Sequence, residues 1–251
     1  MSATLFLSVG MAISWRGYLA PSGVSLYLEP DGVNIALVSP ASVEESGRTY
    51  RGAGPQQRQE ERRLRLIDAA VEVFGTTGYR SATVEKICAA AGLTKRYFYE
   101  SFTDSEALLL AAYGTVTDRL RENVLAGAGR GAADLDARVR GALTAFFESV
   151  AEDPRISRIA FQEVLGVGPE VDRAYRRVTL EFVDAVLFVM DPAIDAERAP
   201  DPHLHTLATG LVGAVLMIAQ QWVLSENPQP IESVIADAHT ILSAVLGRLP
   251  D

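Results

Sequence analysis

At 251 residues, 48% apolar and 22% charged, the chain has the size and composition of a soluble protein with one large domain or two modest ones. Its single cysteine, Cys88, excludes an intrachain disulfide and a cysteine zinc site. The net charge of -9 argues against indiscriminate nucleic-acid binding, but it is unevenly spread: residues 58–102 carry a net +2 and residues 103–251 a net -10.

Residues 1–57 hold no sustained helical or strand period and are rich in Gly, Ser and Pro. They read as an N-terminal tail or linker, the alternative being a weak hairpin in which Leu26–Leu28 and Val33–Val38 flank Pro30-Asp31-Gly32. A start codon assigned too far upstream would also produce such a segment. The apolar run Leu5–Ile13 has no preceding Lys or Arg, so it lacks the basic region of a signal peptide, and it is too short to cross a bilayer.

From Arg58 the pattern becomes helical. Leu64, Ile67, Val71 and Phe74 recur at helical spacing, with Arg62, Arg63 and Arg65 outside the stripe as a solvated face. Gly75 and Gly78 are expected to stop this helix. Thr83 suits the N-cap of a second helix with Val84, Ile87, Cys88 and Ala91 inward, which makes Cys88 a small buried apolar group. Gly92 turns the chain, and Thr94 caps a third helix anchored by Phe98 and Phe102. Asp104 caps a fourth helix that starts at Ser105.

Two short helices joined by a tight turn and supported by a third make a helix-turn-helix. Its second helix must expose donors on one face and anchor itself by the other. Thr94, Lys95, Arg96, Tyr97 and Tyr99 supply the donors. Lys or Arg can pair with a guanine edge, while hydroxyls and helix N-terminal amides suit phosphate oxygens.

This stretch resembles the DNA-binding domain of TetR-family transcriptional regulators. The resemblance rests on Phe74, Gly78-Tyr79, Thr83, Ile87, Ala91-Gly92-Leu93-Thr94, Phe98-Tyr99, Phe102, Glu106 and Leu108-Leu109. It implies that Thr83 meets phosphate from the second helix, that Lys95, Arg96 and Tyr97 meet bases or phosphates, and that Tyr99 holds the DNA backbone. Two positions depart from the family pattern: Ser105 stands where a lysine is usual, and Arg96 where a small residue is common.

The rest of the chain reads as five further helical stretches: 135–151, 156–165, 170–190, 204–224 and 231–249. The fold class is therefore all-α, with a helix-turn-helix domain at 58–112 and a helical effector-binding and dimerisation domain at 113–251. Leu204–Leu224 is apolar on nearly every side, so it must be covered on nearly every side or lie in a membrane. His205, Gln220 and Gln221 and the absence of basic flanks favour the buried reading. By resemblance, the last two helices pair with the same helices of a second copy, forming a homodimer. The middle helices then hold a small apolar effector, for which Phe146, Phe161, Phe182, Met217 and Gln221 are the expected wall; their mutual packing without a cavity is the alternative.

No catalytic residue, metal site or cofactor is expected. His203, His205 and His239 are the only histidines, and the first two do not share a helix face. No GxSxG, phosphate-cradling glycine loop or HExxH occurs. The reading is a cytoplasmic, ligand-responsive regulator of double-stranded operator DNA, of repressor type. Two alternatives stay open: a DNA-binding module without an effector, acting constitutively or through a protein partner, and a helical interaction protein with a vestigial helix-turn-helix.

Overall fold

The computed structural model describes residues 54–130, 134–190, 202–225 and 228–246. The alternative hairpin near Pro30 lies outside them. Every long element among the described residues is helical: α1 (Pro55–Thr77), α2 (Val84–Ala91), α3 (Lys95–Ser101), α4 (Ser105–Arg130), α5 (Leu135–Glu152), α6 (Pro154–Arg158), α7 (Pro169–Met190), α8 (Pro202–Leu224) and α9 (Ile231–Leu246). A 3₁₀ turn, Tyr79–Ser81, joins α1 to α2, and a π-helical turn, Ile159–Glu163, follows α6. No strand occurs among the described residues.

The inward face of α1 is broader than the sequence stripe and rotated from it. Leu66, Ile67, Ala69, Ala70, Val73 and Phe74 are buried, whereas Leu64 is 51% exposed. Four apolar residues at helical spacing fit two overlapping stripes, and packing against α2, α4 and α6 selected the one that also buries the alanines. Gly75 does not end the helix. It lies inside α1, buried, where a Cβ would come within 2.3 Å of Arg155 Cβ, so its lack of a side chain lets α6 approach. The helix ends at Gly78.

The caps of the later helices follow the local rules. The Thr83 hydroxyl accepts the Lys86 amide at 3.3 Å, Asp104 accepts that of Ala107 at 2.8 Å, and Asp134 that of Ala137 at 2.9 Å. Asp153 caps α6, with Pro154 at the first helical position. Arg138 of α5 closes the far end of α7 by donating to the carbonyls of Val189 and Met190 at 2.9 and 3.0 Å.

α4 runs unbroken through residue 112, so the helix-turn-helix unit and the body share one rigid element. α4 and α5 form the most extensive helix pair, and α7, α8 and α9 complete the body around Phe146, Phe147 and Val150. Among the described residues α8 is the one helix long and apolar enough to cross a membrane. One of its faces packs on α5, α7 and α9; Gly210, Gly213, Met217 and Gln221 lie on an uncovered face.

Candidate nucleic-acid interface and interior cavity

The second helix of the helix-turn-helix is α3. Phe98 is fully buried beneath it, with the rings of Tyr99 and Phe102 at 5.2 and 6.1 Å from its own. Phe102 is the extended residue that ends α3, still turned inward. Between these anchors the outward face carries Thr94, Lys95, Arg96 and Tyr99, all exposed, with Tyr97 half-buried at its edge. Thr94 occupies the N-cap position, but its hydroxyl makes no capping bond and stays available to a phosphate. Thr83 is also exposed, at the start of α2, so the two threonines bracket the turn.

Gly92 makes that turn in the left-handed conformation, φ 62°, which costs glycine little and other residues more. Arg65 closes it from behind by donating to the Ala91 carbonyl. Arg65 is therefore a brace of the helix-turn-helix, although its sequence context reads as a solvated face. The partners are 26 positions apart, and no local signal connects them. Arg62 likewise leaves the solvated face: its guanidinium lies over the Tyr97 ring, 4.5 Å from the centroid.

The outward cations are paired. Lys95 is bound to Glu85 of α2, and Arg96 Nε donates to Glu100 Oε1 at 3.0 Å. The hydrogen bond from Lys95 holds the Glu85 carboxyl below the usual carboxylate range, and the same bond raises the Lys95 ammonium. Glu85 thus engages Lys95 and not its neighbour Lys86, which donates to the Ser81 carbonyl at 3.2 Å. Burial pushes the Cys88 thiol up, in keeping with an inert core residue.

The body encloses two neighbouring cavities. The first, about 70 Å³, is lined only by apolar residues, among them Leu143, Phe146, Phe182, Val215, Leu216 and Leu242. The second, about 20 Å³, shares Phe146, Phe182 and Leu216 and adds Phe161 together with the hydroxyl residues Tyr113, Thr117, Tyr175 and Thr179. No charged residue lines either one. Burial pushes the Tyr113 phenol far up, so it stays a neutral donor.

Phe146, Phe161 and Phe182 therefore come together as expected, but Met217 and Gln221 do not join them. Met217 is 56% exposed and Gln221 is exposed, both in an open groove of about 510 Å³ with Ile241 and Trp222. The neighbouring Gln220 turns inward instead, donating to the Phe161 carbonyl at 3.2 Å. Periodicity could not distinguish the two sides of a helix that is apolar on both.

A polar joint ties the cavity region to the end of α1. Glu163, two residues beyond Phe161 on the π-helical turn, accepts the Tyr79 amide at 2.6 Å and Arg158 Nε at 2.7 Å. Arg158 also donates to the Thr76 carbonyl at 2.8 Å, and Arg155 bridges Asp153 and Glu72.

Comparison with known proteins agrees with this geometry. The family model described as bacterial regulatory proteins of the tetR family matches residues 66–112. The HTH-type transcriptional activator FasR of Mycolicibacterium smegmatis is 31% identical over 182 residues, spanning 70% of this chain and 79% of that protein. The HTH-type transcriptional regulator YdgC of Bacillus subtilis is 26% identical over 198 residues, spanning 76% of this chain and 94% of that protein. Among solved structures, the regulator FadR of Bacillus subtilis in complex with stearoyl-CoA superposes with a TM-score of 0.58 at 18% identity, covering 71% of this chain and 96% of that one. The fatty acid degradation regulator FadR of Bacillus halodurans gives 0.60 at 19% identity, covering 79% and 98%. With a helix-turn-helix at the positions the family model matches and a relative of this identity and coverage, the chain belongs to the TetR family of DNA-binding transcriptional regulators.

Proposed function

We propose that the protein binds operator DNA as a cytoplasmic homodimer, one α3 per half-site, and that an apolar effector entering the body lowers this affinity. The observation that carries the DNA reading is the outward cluster of Lys95, Arg96, Tyr97 and Tyr99 over a buried Phe98. Arg96 and Tyr97 read base edges, while Thr83, Thr94, Lys95 and Tyr99 hold phosphates. α4 opens with Ser105, which brings no cation to the backbone, so Lys95 carries more of the phosphate attraction. The boundary between reader and body lies near residue 112, within α4.

The uncovered α8 face and Ile241 of α9 support dimerisation, because a second copy would bury this apolar surface about a two-fold axis. Where its operator overlaps a promoter, the bound protein represses and effector-driven release lifts the repression.

The cavities support the effector. Their uncharged walls suit a hydrocarbon chain, and the Tyr113 and Tyr175 hydroxyls suit a neutral carbonyl or thioester along it. The first cavity is smaller than the roughly 150 Å³ that holds benzene in an engineered core. A longer chain must push Phe146, Phe182 or Leu216 aside, and such a displacement is what lets a ligand favour one state over another. The joint from Phe161 through Glu163 and Arg158 to Tyr79 and Thr76 gives that displacement a route to α1.

Stearoyl-CoA is the probe of choice, given the solved neighbour that binds it. At a hundred times its dissociation constant it should stabilise the protein by about 2.7 kcal/mol and release it from operator. Leu216→Trp, which fills the junction of the cavities, should abolish both effects and keep operator binding. If no acyl-CoA from short to long shifts the thermal midpoint, the reading without an effector takes its place.

Operator binding should also weaken steeply with salt. Each phosphate-paired cation contributes a slope of about -0.9 in log affinity against log salt. Two Lys95 side chains alone give about -1.8 for the dimer, and Arg96 on phosphate as well would double it. A flat profile in a titration would remove Lys95 from the phosphate contacts.

A further inference from the structure

The reading face is screened by its own carboxylates. Lys95 is bound to Glu85, and Arg96 to Glu100 at 3.0 Å. Arg62, whose guanidinium covers Tyr97, approaches the other Glu100 oxygen at 3.8 Å. Glu100 thus faces two cations from two helices, and Gln59 of α1 reaches its backbone carbonyl at 3.5 Å. Arg96 is 84% exposed even so. Solvent exposure therefore does not explain the pairing, because the side chain could extend into water or toward DNA.

An exposed pair of this kind contributes little to stability. Its consequence lies in binding. A guanidinium held by a carboxylate neutralises little of a phosphate, and on docking the carboxylate itself enters the negative field of the DNA. On DNA of arbitrary sequence, Arg96 gains only a phosphate in exchange for Glu100. On a matching site it gains the two acceptors of a guanine edge, and the freed Glu100 can accept from a cytosine amino group. The carboxylate thus penalises random sequence more than the matching one.

We propose that Glu100 is a specificity-determining residue. It holds Arg96 on the protein over arbitrary DNA and yields it to the matching base edge. This rests on α3 being the DNA-facing helix. It also accounts for a reader whose local charge is a mere +2 over residues 58–102.

The test uses the full chain and two duplexes: one of randomised sequence, and one bearing the site that the wild-type protein selects from a random library. Glu100→Gln should bind the random duplex about tenfold more tightly and steepen its salt slope by about 0.9 per copy, one cation having been released to phosphate. Affinity for the selected site should change less than threefold, so the ratio between the two falls. Glu85→Gln, which frees the phosphate-side Lys95, should tighten both duplexes alike and leave their ratio unchanged. Glu148→Gln, an equal charge change at an exposed site on α5, should move neither.

Unchanged random-duplex affinity in the Glu100 variant overturns the proposal, as does its equal tightening on both duplexes. Arg96→Ala measured alongside separates the two failures. If it too leaves both affinities unmoved, the assignment of α3 as reader falls with it; if it weakens the selected site alone, only the carboxylate screen has failed.

Discussion

Arg96→Ala is expected to reduce affinity for the selected operator by about 1–3 kcal/mol per half-site, the value of one good contact to a guanine edge. In one half-site this is roughly a 5- to 150-fold loss, and a dimer meets it twice. Fold stability should stay within about 0.5 kcal/mol, because the side chain is exposed and its partner in the free protein is a surface carboxylate. Tyr97→Ala should act in the same direction on affinity, with a small added loss of stability from the ring beneath Arg62. Fluorescence anisotropy with operator, paired with sedimentation of the free protein, reads both sides of the prediction. Unchanged affinity in both variants, with the dimer intact, would refute the groove face assigned to α3.

Phe98→Ala should fail for the opposite reason. The ring is fully buried and packs edge-on against Tyr99 and at a tilt against Phe102. Truncating such a side chain costs about 3–5 kcal/mol, a large part of the 5–15 kcal/mol that holds a typical domain together. Chemical denaturation should show the loss directly, and operator binding should fall with the population of folded reader. Phe98→Leu should recover most of the stability. A loss under about 1 kcal/mol for the alanine variant would mean that α3 is held by something other than this anchor. The two substitutions, two residues apart on one short helix, thus separate recognition from support.

The same contrast explains which features were legible in the chain. The order of helices, their caps at Thr83 and Asp104, and the turn at Gly92 depend on neighbours within a few positions. Phe98 and Phe102 were equally readable, since aromatic residues four apart beside a cationic face leave one way to place that helix. Arg96 and Glu100 stand at i and i+4, so their ion pair was also available to sequence reasoning. Leu64 misled because an amphipathic pattern fits more than one orientation until the partners of α1 are known. Gly75 misled because a glycine can end a helix or admit a neighbour, and only the presence of Arg155 distinguishes these.

By itself the sequence determined an all-helical fold with a helix-turn-helix, the exposed cationic and phenolic face of its second helix, and an apolar helix needing cover on both sides. These follow from periodicity and capping, which are local. Tertiary structure alone decided that Arg65 braces the turn from 26 residues away, that Glu85 takes Lys95, and that Glu163 fastens the cavity region to Tyr79. It also turned Met217 and Gln221 out of the cavity and Gln220 toward the Phe161 carbonyl. Such contacts join residues distant in the chain, and their geometry is set by how whole helices pack, which no window of neighbouring residues encodes.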